Sequence, residues 1–86
     1  MKQKLTNTWY DLSQYFTADN TYNIHIPKNC TAYFHYGTAT VPTDDDRVAT
    51  LGENTTAIHK QAVGINLWMR TFNDNSVFNI AWDEQI

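Results

Sequence analysis

No stretch of this chain keeps a helical period for more than a turn or two; apolar residues recur at every second position in short runs broken by turn residues. The clearest run is 65–71, where Ile65, Leu67 and Met69 alternate with Asn66, Trp68 and Arg70. In 21–26, Tyr22, Ile24 and Ile26 fall on one side and Asn23 and His25 on the other, until Pro27 closes the run. Residues 31–36 (TAYFHY) read as the next strand, and the short separation predicts a hairpin with 21–26. The run 55–60 (TTAIHK) follows, and 77–82 places Phe78, Ile80 and Trp82 on one face. The cluster Asn73-Asp74-Asn75 predicts that 65–71 and 77–82 pair as a terminal hairpin. Residues 8–13 (TWYDLS) form a short strand whose buried side the pattern leaves open.

Twelve Thr, nine Asn and twelve aromatic residues support the same class. Branched and aromatic side chains suit a pleated surface, and Asn suits turns. Between 38 and 53, Pro42 and the run Asp44-Asp45-Asp46 predict a long loop with at most a short edge strand near 47–50. The polar opening, 1–7, has no period and reads as a flexible arm or a loose first strand. The expected architecture is therefore all-β: a flexible arm over 1–7 and a single domain over 8–86. That domain is a compact antiparallel β-sandwich or barrel of six to seven short strands with one long Pro-containing crossover loop.

Eighty-six residues make one small domain, which leaves much of its surface wet and gains from a partner. A net charge of -3 gives no footprint for nucleic acid or an anionic membrane, and neither is expected as a partner. No apolar run approaches the roughly 20 residues of a membrane span. The start, Met1-Lys2-Gln3-Lys4, lacks the apolar stretch of a signal peptide, so the chain is expected to act without secretion.

Site chemistry is sparse. His25, His35 and His59 show no ligand spacing, and each is expected on a half-exposed sheet face, hydrogen-bonded to a neighbour. The Asp44-Asp45-Asp46 run fails as a calcium loop, because Thr55 stands at its twelfth position where a Glu is needed. Cys30 is expected as a small hydrophobe at a strand start. With no phosphate loop, nucleophile elbow or zinc-protease helix, the chain reads as a non-enzyme without metal or cofactor.

Surface residues carry more information. If Ile65, Leu67 and Met69 face the core, Trp68 and Arg70 lie on the opposite face; in the reverse register Trp68 fills the core and Ile65, Leu67 and Met69 meet an interface, and either way the strand is apolar on both sides. Trp and Arg are favoured anchors where one protein buries part of itself in another. Either another chain or a loop must cover that second face, and the short length favours another chain. Tyr33, His35 and the Asp44, Asp45 and Asp46 loop join Trp68 as candidates for a glycan site, where aromatic rings stack on sugars and polar groups direct them.

The order Trp9-Tyr10-Asp11-Leu12-Ser13, Tyr22-Asn23-Ile24, Thr38-Ala39-Thr40-Val41-Pro42-Thr43, Gly64-Ile65-Asn66-Leu67-Trp68-Met69-Arg70-Thr71 and a last strand over 77–82 resembles small β-sandwich virion proteins of tailed bacteriophages. The chain departs from them at Asp44-Asp45-Asp46 and in the stretch after Thr50. The resemblance implies a capsid decoration or cement protein, or a head-fibre or tail module. It further implies assembly in the host bacterial cytoplasm, contact with the major capsid or other virion proteins, and a homo-oligomer, often a trimer. A glycan-binding module for host attachment is the alternative.

Overall fold

The computed structural model describes residues 1–43, 49–72 and 77–85. Among the described residues there are eight strands: β1 (Lys2–Leu5), β2 (Tyr10–Asp11), β3 (Thr21–His25), β4 (Ala32–Gly37), β5 (Ala49–Leu51), β6 (Thr56–Lys60), β7 (Asn66–Thr71) and β8 (Phe78–Glu84). A single 3₁₀ turn, Leu12–Tyr15, follows β2. The strands form two four-stranded antiparallel sheets, ordered β1-β8-β3-β6 and β2-β7-β4-β5. The expected all-β sandwich is the fold, and its strand order is that of a jelly roll, in which consecutive strands repeatedly change sheets.

That alternation corrects two expectations. Residues 21–26 and 31–36 are not a hairpin, because β3 and β4 belong to different sheets, and β7 and β8 are likewise split. Each pair of runs has an apolar face, and burying both faces across the sandwich removes more surface from water than pairing them edge to edge in one sheet. Of the two expected readings of the opening, the structure shows the first strand and not the flexible arm. Lys2 through Leu5 pairs with β8 from Lys2↔Ala81 to Leu5↔Phe78, and Leu5 is fully buried in the core. The expected strand over 8–13 shortens to β2, because the Asp11 carboxylate accepts from the Ser13 backbone N–H at 3.0 Å and starts the 3₁₀ turn.

The alternating patterns do set the inner faces. Tyr22, Ile24 and Ile26 from the first sheet meet Ala32, Leu67 and Met69 from the second, with Ile80 and Trp82 beside them. Asp19, Asn29 and Asn54 adopt φ of 70°, 65° and 58°, and Gly64 adopts 78°, the left-handed conformation that turns the chain at each position; the expected turn at Asn73-Asp74-Asn75 lies outside the described residues. Aromatic rings close one end of the sandwich, with Phe16 stacked on Tyr22 at 4.2 Å and Tyr15 on Trp82 at 5.3 Å.

Candidate functional site

Sheet register brings four of the expected site residues together on the outer face of the second sheet. Tyr33 lies opposite Arg70 and His35 opposite Trp68 across β4 and β7. Asp44, Asp45 and Asp46 lie outside the described residues. Trp9, just ahead of β2, completes the cluster: the Arg70 guanidinium sits 5.1 Å from the Trp9 ring centroid and 4.6 Å from that of Tyr33. Cation–π contacts of this kind contribute about 0.5–2 kcal/mol, more as water is excluded. His35 meets the Trp9 ring edge-on at 6.4 Å, and Phe72 tilts against Tyr33 at 5.4 Å.

This face is not an open docking platform. Residues 38–43 cross it, held by the two indoles: Trp68 Nε1 donates to the Thr38 carbonyl at 2.9 Å and Trp9 Nε1 to the Thr43 carbonyl at 3.3 Å. Trp68 is 7% and Tyr33 8% exposed, and Pro42 is buried. The chain's own loop therefore covers the second apolar face of β7, where another chain was expected. Trp68 is a clasp residue and not an exposed anchor, and neither it nor Tyr33 offers a ring face to a sugar. Trp9 escaped sequence reading because its run is too short for a period to show which side it buries.

The three histidines occupy three different places. His25 lies on the outer face of the first sheet, where its Nε2 meets the Asp83 carboxylate and its Nδ1 the Thr56 hydroxyl at 3.0 Å. The carboxylate only accepts, so in the neutral ring Nε2 carries the proton and Nδ1 accepts from Thr56. Hydrogen bonds from His25 and Asn23 hold the Asp83 carboxyl below the usual aspartate range. His35 belongs to the covered cluster, with Nδ1 buried and without a hydrogen-bond partner among the described residues. His59 points between the sheets, not onto a half-exposed face: Tyr36 donates to its Nδ1 at 3.2 Å, and its Nε2 pairs with Gln61 Oε1 at 2.8 Å. Burial pushes the Tyr36 phenol and the Cys30 thiol up, which leaves the thiol a poor nucleophile.

Two hollows remain. A cavity of about 30 Å³ beside His59 and Tyr36, lined otherwise by apolar side chains such as Phe34, Leu51 and Met69, has room for little more than a water molecule. A groove of about 240 Å³ at the aromatic end is lined by Tyr15, Thr17, Tyr22, Trp82, Asp83 and Glu84, together with Met1.

The turn between β6 and β7 was not singled out by sequence reading. Residues 62–65 (AVGI) carry no charge, yet all four are exposed, with Val63 77% and Ile65 40% accessible. Ile65, expected to share a face with Leu67 and Met69, lies just ahead of β7 and next to the turn at Gly64. Tyr36, exposed at the end of β4 and opposite Leu67, borders the same end of the sandwich. The available signal was an apolar run surrounding a turn glycine, where connections are ordinarily polar. Comparison with known proteins found no matching family model, curated protein or solved structure.

Proposed function

We propose that this chain is a non-enzymatic structural subunit of a tailed-phage virion, a capsid decoration or cement protein that docks on neighbouring virion subunits. The observation behind this reading is the uncharged, exposed turn of residues 62–65 with Tyr36 beside it. Large apolar side chains that a small domain leaves in water are those a partner buries. The docking role expected of Trp68 and Arg70 passes to Val63 and Ile65, since the indole of Trp68 is used internally. Jelly rolls occur in capsid proteins and in lectins alike, so the fold adds compatibility and not specificity.

Co-expression with the virion proteins, followed by gradient sedimentation of the particles, tests the reading. The wild-type chain should travel with particles, and a Val63→Asp, Ile65→Asp variant should remain at the top of the gradient with an unchanged melting transition. A wild-type chain that never sediments with particles removes the virion role.

The glycan-binding alternative moves to the groove at the aromatic end. There the partly exposed ring of Tyr15 stands beside the carboxylates of Asp83 and Glu84, which pairs a sugar-stacking surface with hydroxyl acceptors. A glycan-array signal that disappears in Tyr15→Ala would favour it.

A further inference from the structure

We propose that β6 pairs with β6 of a second copy of this chain, antiparallel and in a two-fold register centred on Ile58. The first sheet ends at β6, whose only strand neighbour among the described residues is β3. Flanking bonds fix which backbone groups that pairing uses. The Gln61 N–H donates to the Asn20 carbonyl at 3.0 Å and the Ile26 N–H to the Thr55 carbonyl at 2.8 Å. Antiparallel ladders alternate hydrogen-bonded and non-bonded pairs, so within β6 residues 57 and 59 turn their N–H and C=O groups toward β3. Thr56, Ile58 and Lys60 turn theirs to the open edge, a row of donors and acceptors unmet among the described residues, which templates another strand.

The edge is self-complementary. Centred on Ile58, a second copy sets Ile58 against Ile58, Thr56 against Lys60 and Ala57 against His59, and all the open groups of the three edge-facing residues find partners. No like charges meet, small opposes large on the inner side, and Ile58, 70% exposed in the monomer, gains an apolar cross-strand neighbour. The other edges do not accept their own copies. The Met1–Trp82 backbone bonds make Lys2 and Lys4 the edge-facing residues of β1, and self-pairing centred on Gln3 opposes one lysine to the other. Charged edge positions of this kind block sheet extension. β2 has two residues and β5 three, too few for a stable ladder. Pairing through β6 merges the two first sheets into one of eight strands and closes as an isologous dimer. It stands apart from the virion reading: a dimer that never joins particles keeps this proposal and removes that role.

Sedimentation velocity on the full chain over a range of concentrations, with hydrogen exchange of the Thr56, Ile58 and Lys60 amides, tests it. A monomer–dimer equilibrium is expected, with those three amides slowing as the dimer fills. Ile58→Lys sets like charges on the two-fold axis and should raise the dimer dissociation constant at least about tenfold. Thr56→Lys opposes Lys60 and should weaken the dimer too, whereas Thr56→Lys with Lys60→Glu should recover it. Both sites are exposed, so the circular dichroism of each variant should match the wild type. A chain that stays monomeric with the three amides exchanging freely overturns the proposal. So does a dimer indifferent to these substitutions, or an assembly of odd copy number.

Discussion

Trp68 donates its indole N–H to the Thr38 carbonyl at 2.9 Å, which ties the connection between β4 and β5 to the strand it crosses. Together with the Trp9 bond to Thr43, this makes the outer face of the second sheet a small second core. A loop with two anchors of this kind needs no partner to stay in place. The consequence is that substitutions in the cluster act on stability before they act on association.

For Trp68→Ala we therefore expect a loss of about 3 kcal/mol, within the usual cost of emptying a buried aromatic site. Trp68→Phe retains most of the ring and gives up the hydrogen bond, for about 1 kcal/mol. Chemical denaturation measures both. A Trp68→Ala chain as stable as wild type, yet unable to join particles, would return the residue to the role of an exposed anchor.

Removal of residues 1–7 should unfold the domain. Leu5 is fully buried and β1 covers the flank of β8, so truncation empties a core position and strips a strand from the sheet. Leu5→Ala alone should cost about 3 kcal/mol, a large share of the roughly 5–15 kcal/mol that holds a domain together. Cooperative melting of the truncated chain at the wild-type temperature would restore the flexible-arm reading.

The tie between His25 and Asp83 predicts an acid-side effect of definite sign. The hydrogen bond from His25 is the main cause, and that from Asn23 the second, of a folded Asp83 value below the unfolded one. The stabilisation is complete above the ordinary aspartate value of 3.8 and is lost as pH falls through that value and then the folded one. Exposure keeps it small. His25→Ala should move the Asp83 titration upward toward the ordinary range when followed by NMR, and an unmoved titration would remove the imidazole as the cause.

On the alkaline side the pair Tyr10 and Tyr15 acts in the opposite direction. Their hydroxyls meet at 2.6 Å, and this bond first, then burial, pushes the Tyr10 phenol up from 10.0 to about 12. A raised folded value stabilises the protonated form, so the contribution is intact below pH 10 and is lost as pH rises through about 12. Denaturation across that window should show falling stability in the wild type. Tyr15→Phe should flatten the fall, and an equal slope in both chains would show that the bond is not its source.

The two-residue alternation of the strands was legible in the sequence because it is local. The alternation of Tyr22 and Ile24 against Asn23 and His25 survives in β3, with Ile26 buried just beyond it, and that of Leu67 and Met69 against Trp68 and Arg70 in β7. The side-chain period of a strand belongs to its own backbone, whichever strand lies beside it. The positive φ at Asp19, Asn29, Asn54 and Gly64 is local too, since Asp, Asn and Gly tolerate it at their own position. Which strands pair was not local. Thr21–His25 and Ala32–Gly37 are neighbours in sequence and lie in opposite sheets, while Lys2–Leu5 finds its partner more than seventy residues away in β8. Short connections permit either a hairpin or an arch, and the burial of two apolar faces at once decides between them. The same long-range packing turned Trp68 and Arg70 from expected anchors into the floor under residues 38–43, and left Val63, Ile65 and the edge of β6 facing water.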